Sequence, residues 1–119
     1  MILARFQKNY CLFVVQKTGN CQMTYQGGCK EWTDKNLQEK GGFYADKIYT
    51  VKECYDLCLK ESECGGFFIT KATAGGIPIG SCLLYSEGCT NDGNANMLHY
   101  ALEDCQTKSN IFLYLSNLV

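Results

Sequence analysis

Cysteine is the residue type that offers this sequence the most chemistry, with nine cysteines in 119 residues. Thiols serve as disulfide partners, zinc ligands or catalytic nucleophiles. Structural zinc sites repeat pairs of cysteines about two to four residues apart, often with histidine. Only Cys54 and Cys58 stand that close, and the sole histidine, His99, is far along the chain. The spacing therefore predicts disulfides, with no metal or other cofactor.

A catalytic cysteine would need a free thiol beside a base, and His99 is the one histidine that could serve. In an oxidised scaffold nearly every thiol is already bonded. The sequence also contains neither a Gly-x-Ser-x-Gly nucleophile turn nor a Gly-x-x-x-x-Gly-Lys phosphate loop. We expect a non-enzymatic protein in which His99 is a strand residue near the surface.

One polar segment has a spacing that suits calcium. Asp92, Asn94 and Asn96, with Glu103 further on, match much of the EF-hand pattern of oxygen ligands. Met97, however, occupies the position that needs glycine. A turn-rich loop explains the same residues, so we expect no metal site there.

Charge and hydropathy exclude two large classes of partner. Eleven lysines and arginines against twelve acidic residues give a net charge of −1, so the chain has no general attraction to nucleic acid or to anionic membranes. The longest apolar runs, 12–15 and 111–115, fall far short of the roughly 20 residues of a membrane-spanning helix.

The density of cysteine is typical of small proteins in oxidising compartments, which predicts a secreted, extracellular protein. The N-terminal stretch 1–15 has too short an apolar run for a signal peptide. We therefore expect either that the numbering starts on a mature chain or that the export signal lies outside these 119 residues.

The clearest local element is a helix over about 51–60. Thr50 and Glu53 have the spacing of a capping box, in which each side chain accepts a hydrogen bond from the other residue's backbone amide. Cys54 and Cys58 follow at helical spacing, so both cysteines face one buried surface.

Short apolar segments predict strands at 66–70, 81–85 and 97–102, with further strands near the two ends at 11–15 and 111–115. Loops rich in glycine and asparagine separate several of them. One helix among several short strands predicts an α+β fold with an antiparallel sheet.

The cysteine framework resembles a known family. The helix and its continuation read Cys54-x3-Cys58-x5-Cys64-Gly-Gly-Phe, and the strand at 81–86 reads Ser-Cys-Leu-Leu-Tyr-Ser. This set resembles the PAN/Apple family of extracellular interaction modules, which implies one helix packed on an antiparallel sheet and stapled by disulfides. The regions that the resemblance implies are a PAN/Apple-like domain over 29–105, an N-terminal extension with a strand over 1–28, and an apolar C-terminal tail or strand over 106–119.

The resemblance also implies disulfide pairs. In the family the first helical cysteine bonds to the cysteine of the strand, and the second bonds to the cysteine just after the helix. The corresponding pairs here are Cys54–Cys82 and Cys58–Cys64. Apple members add a bond between the two ends of the domain, for which Cys29 and Cys105 stand at suitable places.

Three cysteines remain beyond that pattern, and nine cannot all pair within one chain. We expect Cys21 to pair with Cys89, with Cys11–Cys21 as the alternative. Cys11 is the expected remainder, either as an intermolecular disulfide or as a buried free thiol.

The apolar segments at the two ends of the chain, 2–15 and 111–119, must pack against other protein surface to be shielded from water. Either they pair with each other and extend the sheet, or they add strands to neighbouring copies. Together with an odd cysteine, they favour a self-assembling structural or adhesive subunit of a fibre or matrix. Its partners would be copies of itself or other extracellular proteins.

The alternative function is a soluble glycan- or protein-binding module, such as a lectin or a secreted inhibitor. Exposed aromatic rings could stack on sugars, beside acidic and amide side chains that bind the hydroxyls. The candidate ligand-binding residues are Trp32, Tyr25, Tyr44 and Tyr85.

Overall fold

The structure is a computed structural model that describes residues 2–3, 12–73 and 75–112. For residues 2–3, 12–18 and 106–112 it describes the backbone only. The chain divides into two compact units. One is Gly19–Cys105, and the other combines Met1–Thr18 with Gln106–Val119. In chain order the elements are β1 (Ile2–Leu3), β2 (Leu12–Cys21), β3 (Tyr25–Gln26), α1 (Trp32–Lys35), a 3-10 helix (Gln38–Lys40), β4 (Phe43–Tyr44), α2 (Val51–Lys60), β5 (Gly66–Thr70), β6 (Cys82–Tyr85), β7 (Met97–Ala101), a 3-10 helix (Leu102–Asp104) and β8 (Cys105–Phe112).

The larger unit is built on a five-stranded antiparallel sheet in the order β3-β7-β5-β6-β4. Phe68 on the central strand β5 lies opposite Leu83 of β6 and His99 of β7. Together with the helix and four disulfides, this sheet confirms the predicted α+β, disulfide-rich fold.

The terminal segments form a sheet of their own in the order β1-β2-β8, with Ile2 of β1 opposite Val15 of β2. Predicted strand residues 12–15 lie in β2, and 111–112 lie in β8. Cys11 and residues 113–115 lie outside the described residues. The terminal strands therefore share one sheet, but in the described part of the chain they do not extend the five-stranded sheet.

Both faces of the five-stranded sheet are covered. Successive side chains of a strand point to opposite faces, so each strand contributes to both packed layers. On one face, Phe67 and Leu84 pack with Cys54 and Tyr55 of α2. On the other face, Phe68, Leu83 and Tyr85 pack with residues of the 29–43 segment and with Cys89. Strands β5 and β6 are buried along their whole length.

Helix α2 begins as the sequence predicts. The Thr50 hydroxyl accepts from the Glu53 amide at 3.1 Å, and the Glu53 carboxylate accepts from the Thr50 amide at 3.0 Å. Both bonds satisfy amides that have no partner inside the helix. Just before β5, a side chain at Gly65 would place its Cβ 1.6 Å from the carbonyl oxygen of Ser86, so the chain can pass there only as glycine.

Two disulfides attach α2 to the sheet and to the turn that follows it. They are Cys54–Cys82 and Cys58–Cys64, the pairs that the family resemblance implies. The first joins the helix to β6, and the second joins it to Cys64, two residues before β5 begins.

The other two pairs differ from expectation. Cys21 bonds to Cys105, so the expected Cys29–Cys105 bond is wrong. The two expected partners of Cys21, which were Cys89 and the alternative Cys11, are wrong for the same reason. A bond between the ends of the larger unit exists, but it uses the cysteine where β2 ends and the cysteine where β8 begins. The neighbouring backbone is also paired, since the Gln22 amide donates to the Asp104 carbonyl at 2.9 Å.

Cys29 bonds to Cys89, which corrects the expected Cys21–Cys89 bond. The reason is local strand pairing, because Cys29 forms an antiparallel bridge with Asn91 and the Lys30 amide donates to the Thr90 carbonyl. All eight cysteines in the described part of the chain are thus paired, and Cys11 lies outside it.

Candidate functional site

A small cavity opens on the face of the sheet that α2 does not cover. Its volume is about 180 Å³, and we call it the Trp32 pocket. The residues that line it are Gly28, Cys29, Trp32, Phe68, Ile77, Leu83, Asp92, Asn94 and Met97.

The floor of the Trp32 pocket is apolar and rigid. Phe68 and Leu83 face each other across β5 and β6, and their side chains are 0% and 1% exposed. The half-buried Trp32 stands edge-on to the Phe68 ring, with ring centroids 5.8 Å apart and planes at 87°. This edge-to-face packing is favourable for aromatic pairs and fixes the indole against the floor.

The backbone that carries Trp32 is held from both sides. Its N-terminal side is tied down by the Cys29–Cys89 bond and by the Glu31 carboxylate, which accepts from the amide and the hydroxyl of Thr90 at 2.7 Å each. These two hydrogen bonds lower the pKa of Glu31. On its C-terminal side, the side-chain amide of Asn36 donates to the Trp32 carbonyl at 2.6 Å.

A carboxylate stands at the rim. Asp92 Oδ1 accepts from the amides of Gly28 and Asn94, at 2.8 Å each, whereas Oδ2 accepts no hydrogen bond from any described residue. A Cβ at Gly28 would lie 2.7 Å from Oδ2, so a side chain there would displace the carboxylate. Asp92 is also the only ionisable side chain among the described residues that line the pocket.

The four predicted ligand-binding aromatics do not form one site. Trp32 lines the pocket, and the Tyr25 hydroxyl supports its rim by donating to the Gly28 carbonyl at 3.0 Å. Tyr44 lies elsewhere, on β4, packed against Tyr49 with ring centroids 5.9 Å apart. Tyr85 is 3% exposed, so its ring cannot stack on a ligand.

The sequence could have indicated the rim but not the floor. Asp92 and Asn94 stood out as calcium ligands, yet in the structure the carboxylate and amide oxygens accept backbone amides of their own loop. No group of three or more metal-binding side chains occurs in the part of the chain that the structure describes. Phe68 and Leu83 carried no signal beyond that of buried strands.

His99 is in a strand, as predicted, but it is 4% exposed and not near the surface. It is buried because β7 lies between β3 and β5. Its ring stacks on Phe68 at 4.6 Å, its Nε2 lies 2.5 Å from the Tyr85 hydroxyl oxygen, and its Nδ1 has no hydrogen-bond partner among the described residues. Burial lowers the pKa of His99 to about 4 and raises the pKa of Tyr85. The ring is therefore neutral at pH 7 and accepts from Tyr85.

A larger groove of about 620 Å³ lies between the α1 region and the turn after α2. Charged side chains of both signs line it, and the ion pair between Lys40 and Glu63 spans it. Both partners are about half exposed, so the pair is weak. The groove has no aromatic wall among the described residues, and the Trp32 pocket is the better-formed site.

The fold and its four bonds define an α+β disulfide-rich domain, a class typical of oxidising compartments. No protein-family model, curated protein or solved structure matches the chain. Among the described residues, none of the helices has the length and apolar character needed to cross a bilayer.

Proposed function

We propose that this protein is a secreted, non-enzymatic interaction module of the PAN/Apple type that binds its ligand in the Trp32 pocket. The observation that carries the proposal is a preformed cavity with an aromatic wall and a fixed carboxylate at its rim. Sites of this kind combine apolar walls with a few well-placed polar groups. Because disulfides and hydrogen bonds already hold the walls, binding requires little ordering.

The PAN/Apple part of the proposal is supported by the way in which the helix is attached. Cys54 and Cys58 of α2 bond to β6 and to the turn before β5, which are the positions that the resemblance implies. Secretion is supported by four disulfides within 119 residues, since such bonds persist in oxidising compartments.

The non-enzymatic part is supported by the state of the groups that could react. Every cysteine in the described segments is bonded. His99 is buried and engaged with the Tyr85 hydroxyl, so it has no described thiol to activate. What remains in the Trp32 pocket is suited to non-covalent binding.

The pocket can be tested directly, because Trp32 is the sole tryptophan of the chain. We expect the emission and the indole N–H resonance of Trp32 to change saturably with at least one member of two panels: blocked amino-acid amides and neutral monosaccharides. Replacing Trp32 by alanine should weaken binding of that probe at least tenfold by calorimetry, as for an aromatic anchor.

The matched control is Tyr44→Ala, which removes an aromatic ring outside the pocket and should leave the affinity unchanged. If no member of either panel alters the Trp32 signals, the pocket is not the binding site.

A second candidate function is self-assembly into a fibre or matrix. Four intrachain bonds use eight of nine cysteines, which leaves an odd thiol for a neighbouring copy. In addition, the eight-residue β8 is at the edge of the three-stranded sheet formed by the described residues, and edge strands pair readily with other chains.

Self-assembly predicts disulfide-linked multimers in denaturing, non-reducing mass spectrometry, because the odd thiol would bond between copies. The Cys11→Ser variant should then run as a monomer under the same conditions. A monomeric wild-type chain that also sediments as a monomer would contradict this second function.

A further inference from the structure

We propose that the Trp32 pocket receives a lysine side chain of a protein partner, with the stem in the cavity and the ammonium at Asp92. This inference rests on the proposed function, because it names the chemical group that the same pocket recognises.

The size of the cavity favours a single side chain. Its volume of about 180 Å³ is below the roughly 300–1,000 Å³ of pockets that hold whole small molecules. An unbranched side chain of a partner can enter such a space, while the rest of the partner lies on the surrounding surface.

The polarity of the lining favours an apolar stem with one polar end. The five large apolar side chains of the lining are Trp32, Phe68, Ile77, Leu83 and Met97. Apart from the indole N–H of Trp32, the hydrogen-bonding side chains are Asp92 and Asn94, which are both exposed at the rim. A sugar has hydroxyls around its whole ring, and those that faced the partly exposed Ile77 and Met97 would lose water without gaining a partner.

The charge and the hydrogen bonds of the rim favour an ammonium group. Asp92 is the only ionisable group among the described lining residues, and its Oδ1 already accepts two backbone amides. One carboxylate oxygen therefore remains for the ligand. An ammonium is a compact point charge that suits a single oxygen, whereas a guanidinium prefers both oxygens of a carboxylate.

The indole adds a second attraction. Methylene groups of a lysine stem can pack along Trp32, and its ammonium gains from proximity to the aromatic face. The amides of Gly28 and Asn94 hold the carboxylate in advance, and the Cys29–Cys89 bond holds the backbone near the indole, so little entropy is lost when the side chain enters.

The test uses the oxidised full chain and the blocked amino acid Nα-acetyl-lysine methylamide, with Trp32 emission as the readout. We expect saturable binding with a Kd on the order of 1 mM, as for one side chain. The Nε-acetylated probe should bind about two- to fivefold more weakly, and the arginine probe more weakly than lysine. Added salt should weaken the lysine complex.

Asp92→Asn keeps an oxygen that can accept from Gly28 and Asn94 but removes the charge, so lysine binding should weaken about two- to fivefold, as for an exposed ion pair. Asp56→Asn is the matched control, because it changes the net charge equally on α2, which covers the other face of the sheet. It should bind like the wild type. Unchanged amide spectra would show that both variants fold.

Three results would overturn the inference. A norleucine probe that binds as tightly as lysine would show that charge is irrelevant. A monosaccharide that alters Trp32 emission equally in wild type and Asp92→Asn would identify a glycan site and would leave the proposed function standing. If no probe of either panel alters Trp32 emission, the proposed function fails together with the inference.

Discussion

Replacing Cys54 and Cys82 together by alanine lowers the free energy of unfolding by about 3.5 kcal/mol. The bond joins residues 28 positions apart, and opening it returns loop entropy to the unfolded chain. Both side chains are 0% exposed, between α2 and the sheet. Because whole domains are stable by only about 5–15 kcal/mol, this loss removes a large part of the total.

The Cys58→Ala, Cys64→Ala variant is the matched control. This bond closes a loop between residues only 6 positions apart, so the same dependence on loop length gives a loss of about 2.3 kcal/mol in the free energy of unfolding. Urea unfolding of both variants, with the slope fitted for each variant separately, measures the difference. If the short-loop variant lost as much stability as the long-loop variant, loop entropy would not be the main contribution.

Acidification from about pH 6.5 to about pH 4 lowers the free energy of unfolding by about 3 kcal/mol through His99. Burial holds the pKa of His99 at about 4 in the folded protein, against the ordinary value of 6.5, and the negative charge of Asp104 only partly opposes this effect. The unfolded chain therefore binds a proton first. The stability that neutral His99 contributes is complete above pH 6.5 and is lost as the pH falls to about 4.

The window between pH 6.5 and 5 isolates this effect. Hydrogen bonds lower the pKa values of the carboxyl groups of Glu31, Asp46 and Glu53 from ordinary values of 4.5 or less, so those groups respond at lower pH. His99→Gln keeps an acceptor for Tyr85 but does not titrate, and its urea midpoint should stay constant across the window. A wild-type midpoint that is equally constant would refute the role of His99.

Local patterns predicted the centre of the fold well. The capping box at Thr50 determines where α2 begins, because both of its hydrogen bonds involve residues three apart. Strands β5 and β6 were also predicted, because an apolar run bounded by turns has few alternatives to a buried strand. These features depend on neighbours in the chain and not on the tertiary arrangement.

The Cys21–Cys105 and Cys29–Cys89 disulfides and the Trp32 pocket depend on contacts between residues far apart in the chain. Cys29 meets Cys89 because two loop segments pair around Asn91, and no spacing in the sequence encodes that register. In the same way, Trp32 could be identified as a candidate aromatic, but its packing on Phe68 is a contact between residues far apart in the chain. The burial of His99 was missed because a strand's own pattern does not tell whether it is central or at an edge.

Strand β5 is covered on both faces, which has a consequence for biogenesis. Until α2 and the 29–43 segment have both docked, Gly66–Thr70 presents two phenylalanines and an isoleucine to other chains, and such segments aggregate. Among the described bonds, Cys58–Cys64 spans the shortest loop and closes at the smallest entropic cost. It places α2 next to the start of β5. We therefore expect early oxidation of Cys58 and Cys64 to reduce the exposure of β5 in the newly made chain.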